Sequence, residues 1–206
     1  MNNEALKVNR ANAKALNLQT DYGLADADIK FSSNFNFDYN PGDGIAGGTF
    51  DFVGIATHEI GHALGFVSGV DSVDTNSFPN GPVINIDNKS VFSVLDMYRY
   101  SEASLALGIL DLSVSGSPYF SIDRGLTNLG AFSTGRLNGD GFQASHWKDN
   151  LGLGIMDPSV TSGELLQITD IDLLSLDVIG WDLNSSFFTV ETIPEPATLA
   201  LLGIGL

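Results

Sequence analysis

The chain has 206 residues, enough for one ordinary domain with a real core or two small lobes sharing a cleft. Its 43% apolar and 17% charged residues exclude a disordered chain, and the absence of cysteine excludes a disulfide framework, a thiolate zinc site and a cysteine nucleophile. An excess of 25 acidic over 9 basic residues (net −16) argues against a nucleic-acid partner and favours divalent cations.

Nineteen of the acids are Asp, and Asp, Asn and Gly favour turns and caps over long helices. Many loops and short strands are therefore expected. Residues 4–18 space Ala5, Leu6, Ala13, Leu16 and Leu18 at helical intervals, with Lys7, Arg10 and Lys14 on the wet side. In 28–39, Ile29, Phe31, Phe35, Phe37 and Tyr39 follow a period of two and predict one or two half-buried strands. A turn-rich loop follows at 40–48. The best helix candidate is 49–67, with Asp51 to cap it and Gly65 to end it. Residues 68–90 read as loop, 91–110 as a short helical pattern capped by Ser101, and 119–134 as two short strands joined by a Gly turn. Residues 135–163 are Gly-rich and irregular. A second good helix is predicted over 164–180, capped by Thr169 or Asp170.

Two of the three histidines sit in His58-Glu59-Ile60-Gly61-His62. Positions i and i+4 share one helix face, so both imidazoles can reach one Zn²⁺ at about 2.0–2.1 Å. Glu59 lies on the neighbouring face, where it can act as general base and then acid toward a water that the metal acidifies to a pKa of about 7. A catalytic zinc needs a third protein ligand and an open position. The remaining histidine, His146 in Ser145-His146-Trp147, is the leading candidate, with Asp71, Asp74 and Glu164 as runners-up. Ser68, six residues after His62, is a poor ligand. Gly154-Ile155-Met156-Asp157-Pro158 follows ten residues later, and by residue type alone Met156 would be an ordinary gap-filling Met.

His58, Glu59, His62, Gly65 and Phe66, then His146-Trp147, then Met156 and Pro158, resemble the leishmanolysin branch of the metzincin metalloproteases. The resemblance spans roughly residues 50–182, although its specific motifs fill only a small part of that span. It implies a zinc endopeptidase with His58, His62 and His146 as ligands, Glu59 as the catalytic carboxylate and Met156 beneath the metal. Leishmanolysins are disulfide-rich and longer, so secreted bacterial relatives are the better comparison. Pro194-Glu195-Pro196 and the apolar residues 197–206 resemble the start of a PEP-CTERM sorting signal without its terminal Arg cluster. That likeness implies an exported, envelope-associated protein of a Gram-negative bacterium, a sorting machinery as partner, and a chain that is part of a longer precursor.

The fold expected is α+β, a two-lobed metzincin-like domain with a small twisted sheet, an active-site helix and a loop-rich C-terminal lobe. The divisions are 1–67, 68–182 and a linker and tail at 183–206. The edge strand near 28–39 can pair with an extended peptide substrate. Tyr98, Tyr100 and Tyr119 are candidates for a transition-state hydrogen bond, and Arg99 for an ion pair. The Asp38–Gly44 loop clusters oxygen atoms that suit Ca²⁺ but reads better as a turn. The alternatives are a non-catalytic matrix or surface protein braced by zinc, and a Ca²⁺-dependent adhesin or glycan-binding module.

Overall fold

The computed structural model describes residues 5–18, 23–81, 85 and 89–183; the Pro-Glu-Pro box and the apolar end lie outside the described residues. Among the described residues the architecture is α+β, with five α-helices and two small sheets. Helix α1 (Arg10–Ala15) is shorter than the 4–18 pattern suggests. The Lys7 amide donates to the Phe92 carbonyl at 2.7 Å, so the residues before Asn9 follow another segment instead of coiling. Ala11, Asn12 and Ala13 form the buried face of α1, and the Asn12 side chain donates to the Ile179 carbonyl at 2.6 Å.

Strands β1 (Phe37–Asp38) and β2 (Phe50–Asp51) pair in parallel, Phe37 opposite Phe50. The alternation over 28–39 thus produces two paired residues, not a long strand. Its rings pack on one another instead: Phe31, Phe37 and Tyr39 surround Phe52 with centroids 4.9, 5.3 and 4.9 Å away.

Helix α2 (Phe52–Leu64) starts and stops where its residues require. The Asp51 carboxylate accepts the Gly54 amide at 2.9 Å, and Gly65 leaves the helix at φ 122°, where a Cβ would be strained. Asp51 also accepts the Leu166 amide at 3.1 Å, which ties the start of α2 to the approach of the last helix.

The 68–90 segment, expected to be loop, contains helix α3 (Val70–Thr75). Val70 and Asp74 both face inward, four residues apart. The Asp74 carboxylate accepts the amides of Leu137 and Asn138 at 2.8 Å each. A buried acid interrupts the apolar periodicity that would have marked this helix.

Strand β3 (Arg99–Tyr100), helix α4 (Glu102–Leu107), and strands β4 (Tyr119–Phe120) and β5 (Gly130–Ala131) follow, the strands forming an antiparallel sheet in the order β3-β4-β5. Ser101 caps α4 as expected, accepting the Ser104 amide at 3.2 Å. Arg99 makes no ion pair among the described residues; buried, it donates to the Ser133 carbonyl at 3.0 Å and lies over the Phe132 ring at 5.2 Å. Past β5 the chain pairs with the segment carrying His146: the Ser133 amide donates to the His146 carbonyl at 3.0 Å and the Lys148 amide to the Ala131 carbonyl at 2.8 Å.

Helix α5 (Asp170–Val178) is the ordered part of the 164–180 pattern. The amide and hydroxyl of Thr169 donate to Asp172 at 2.8 and 3.0 Å, which starts the helix there. The main core gathers Phe66, Leu95, Phe120, Phe132, Trp147, Ile155, Met156 and Ile179 between α2, the β3-β4-β5 sheet and α5. Each such side chain stabilises the fold by about 1.5–3 kcal/mol. None of the described helices is long and apolar enough to cross a membrane.

Asp51 serves the start of α2 and the Leu166 amide together. Asp51→Ala is therefore expected to cost about 2–3 kcal/mol, more than a cap alone, as read from the midpoint of urea unfolding.

Candidate metal centre

His58 and His62 lie one turn apart on α2, and His146 reaches them from the segment paired with β5. The His62 Nε2 atom lies 3.1 Å from His58 Nε2 and 3.2 Å from His146 Nε2. The His58 and His146 rings stack 5.2 Å apart at 21°, and the His62 ring stands edge-on to both. Ligand nitrogens about 2.05 Å from a tetrahedral ion are separated by about 3.3 Å, so the spacing fits one small cation held by three imidazoles.

The backbone fixes which nitrogen of each ring faces inward. His58 Nδ1 lies 2.7 Å from the Ile155 carbonyl, His62 Nδ1 2.7 Å from the Phe66 carbonyl, and His146 Nδ1 3.2 Å from the Gln143 carbonyl. A carbonyl only accepts, so each Nδ1 carries the proton and each Nε2 presents a lone pair. Three lone pairs converging on one point repel unless a cation lies between them. Protonating His62 or His146 is disfavoured as well. Burial, with His62 and His58 nearby, pushes His146 down to about 3, and burial is also the largest cause lowering His62. Nothing in this donor set distinguishes among imidazole-binding metals by itself.

Met156 and α2 meet by close approach. A Cβ on Gly61 would sit 2.5 Å from the Met156 sulfur, so glycine between the two helix histidines is what admits Met156, itself 2% exposed. The neighbours of His146 are held from behind. Trp147, fully buried, stacks on Phe132, packs edge-on against Phe66, and receives the Met156 carbonyl on its amide at 3.0 Å. Its indole Nε1 donates to Asp172 at 2.7 Å, and the same carboxylate accepts the Ile155 amide at 2.8 Å and the Met156 amide at 3.4 Å. One buried acid on α5 thereby positions the third-histidine segment, the Met156 turn and the peptide whose carbonyl orients His58.

The runners-up for third ligand have other work. Asp71 accepts the Ala144 amide at 2.6 Å, the Ser145 amide at 3.2 Å and the Ser145 hydroxyl, and so holds the residues just before His146. Asp74 anchors the 137–138 loop, and Glu164 accepts the Thr161 amide at 2.8 Å. Ser68 donates its hydroxyl to Asp96 at 2.5 Å and its amide to Ser145 at 2.8 Å, clamping the exit of α2 to the His146 segment. Asp38 spends its carboxylate on the Asn40 and Ala46 amides, which hold it below the usual carboxylate range; that is the turn reading of the 38–44 loop. The hydroxyls of Tyr98 and Tyr119 donate to the Val178 and Gly125 carbonyls, and among the described residues no tyrosine lines the cleft beside His58.

Glu59 is exposed and shares with His58 an open cleft of about 150 Å³, bounded on its far side by residues 157–160. Asp172, Asp71, Ser145 and Gly61 are the supporting residues that sequence reasoning missed. Gly61 alone carries a usable signal, since a glycine between two inward histidines of an apolar helix calls for a close neighbour. Gly61→Ala is expected to lower stability by about 1–3 kcal/mol through overpacking, whereas Met156→Leu, which conserves volume, costs less than about 1.5 kcal/mol; thermal unfolding of the two variants separates them.

No known family model, no curated protein and no solved structure matches the chain.

Proposed function

We propose that the chain is a zinc-dependent endopeptidase. The observation that carries this reading is the convergence of three Nε2 lone pairs, one of them from His58, which shares an open cleft with the exposed Glu59. An all-imidazole set of three suits catalytic zinc, and a purely structural site is normally closed by a fourth protein group. His58, His62 and His146 hold the ion, their Nδ1–H groups locked on carbonyls so that the lone pairs stay aimed. When bound, zinc supplies Lewis acidity toward water and toward the scissile carbonyl. Glu59, one residue past His58, accepts the proton of the attacking water and returns it to the leaving amine. The 157–160 segment and α2 bound the cleft in which the peptide lies.

The same proposal includes the metzincin-like two-lobed arrangement and the leishmanolysin kinship, supported by the His58–Phe66, His146-Trp147 and Met156–Pro158 motifs. It also includes export to the cell envelope, which rests on the likeness of residues 194–203 to a sorting signal.

Metal per chain, measured by elemental mass spectrometry on the parent, His146→Ala and Glu59→Gln, tests it together with peptide hydrolysis. One zinc is expected in the parent, most of it lost in His146→Ala. Glu59→Gln is expected to keep the zinc and lose at least about a hundredfold in kcat/KM. Zinc retained with no hydrolysis in the parent makes the ion structural, and a folded parent without zinc overturns the reading.

A further inference from the structure

The cleft shared by His58 and Glu59 carries more chemistry than the peptidase reading uses. Its walls are aliphatic: Ile55 and Leu166 on one side, Pro158 and Val160 on the other. Asp157 also lines it, and the Asp157 Oδ1 atom is buried and accepts no hydrogen bond among the described residues. A buried carboxylate oxygen without a donor is costly, the more so when charged. The surrounding groups make this worse. Asp149 and Glu164 add negative charge next to Asp157, and burial together with these two acids pushes its carboxyl up to about 6. Both neighbours are already satisfied by their own loop: Asp149 accepts the Ser159 hydroxyl at 2.6 Å, and Glu164 accepts the Thr161 amide. Lys148, the cation next to Asp149 in sequence, turns away to pair with Asp140 at 2.7 Å. The cleft therefore combines apolar walls with a carboxylate that hydrogen-bonds Asp149 and the Ser159 amide but pairs with no cation among the described residues.

That combination is the complement of a long aliphatic stem ending in a cation. We infer that the cleft receives a lysine or arginine side chain of the peptide substrate, with Asp157 as the carboxylate that binds its head group; this rests on the peptidase reading. Ile55, Leu166, Pro158 and Val160 cover the methylenes of that side chain, and the head group supplies the cation that the Asp157 carboxylate lacks. The net charge of −16 favours cationic over acidic peptides. Asp157 is a specificity-determining residue in this account and takes no part in proton transfer, which stays with Glu59.

The test uses the zinc-loaded chain and a peptide series that differs at one position beside the scissile bond: lysine, arginine, norleucine or glutamate. Bonds flanked by lysine or arginine are expected to be cut with kcat/KM roughly tenfold or more above the norleucine peptide, and Asp157→Asn to bring that ratio close to one. A second readout needs no turnover: Glu59→Gln is expected to bind the fluorescent lysine peptide at least about tenfold more tightly than its norleucine twin, and the Glu59→Gln/Asp157→Asn double variant not to discriminate. Removing one of three crowded acids relieves repulsion, so Asp157→Asn is expected to fold. Cleavage without a basic preference, or a preference that survives Asp157→Asn, overturns the inference and leaves the peptidase reading standing. No cleavage of any peptide, with Asp157-dependent binding of the lysine peptide, does the reverse. Calcium binding by calorimetry that is abolished in Asp157→Asn assigns the carboxylate to an ion and also overturns it.

Discussion

Backbone amides without regular partners are the constraint on which this structure depends, and buried aspartates are its solution. Among the described residues no helix apart from α2 and α5 exceeds six residues, and every strand has two. A chain so poor in ladders must satisfy its loop amides some other way, because an unpaired buried N–H costs about as much as a lost hydrogen bond. Asp51, Asp74, Asp96 and Asp172 supply the acceptors. Asp96 takes the Gly69 and Ser93 amides at 2.7 Å each, and Asp74 and Asp172 each collect donors from segments far away in sequence. Bonds of an amide to a charged acceptor are worth about 1.5–3 kcal/mol each, enough to offset desolvation only when several converge. That condition is met at each of these carboxylates.

The same device joins the fold to the site. The three histidines come from a helix and from a segment 84 residues away, and nothing local would keep His146 Nε2 within 3.2 Å of His62 Nε2. Asp71 and Ser68 fix the residues before His146 against the exit of α2. Asp172 fixes Trp147 after it. The chain therefore grips His146 on both sides, and the grip is built from side chain to backbone bonds rather than from sheet.

What was legible in the sequence follows from that division. Caps, stops and the helix face of His58 and His62 obey local rules, so Asp51, Gly65, Ser101 and Thr169 were readable as the residues that start and end helices. His146 was readable only by elimination, because its partner ligands lie far away in sequence. The acid excess was misleading. Read as surface charge, it includes five aspartates that are buried, and one of them, Asp74, hides helix α3 in a segment that looks like loop. Of the one or two half-buried strands expected over 28–39 only a two-residue strand forms, for a related reason: alternating aromatics there satisfy each other as a ring cluster around Phe52, so no extended ladder is needed. Asp71 could be suspected of ligating a metal from its place after the helix, but only the fold shows its carboxylate turned onto Ser145.

A site preassembled in this way has an energetic consequence. Three imidazole lone pairs held face to face repel, and burial depresses protonation of His146, so neither the neutral nor the charged trio is comfortable without an ion. The buried aspartates hold the rings there regardless. Under the proposed zinc centre, the fold stores that repulsion and an ion relieves it, which couples metal affinity to the integrity of loops that never touch the metal. The supporting carboxylates then act on the metal through geometry alone: loosening Asp172 frees Trp147 and the Ile155 peptide together, and with them two of the three ring orientations. Stability and function in this chain are in that sense one network, anchored on acids whose charge is spent inside the protein.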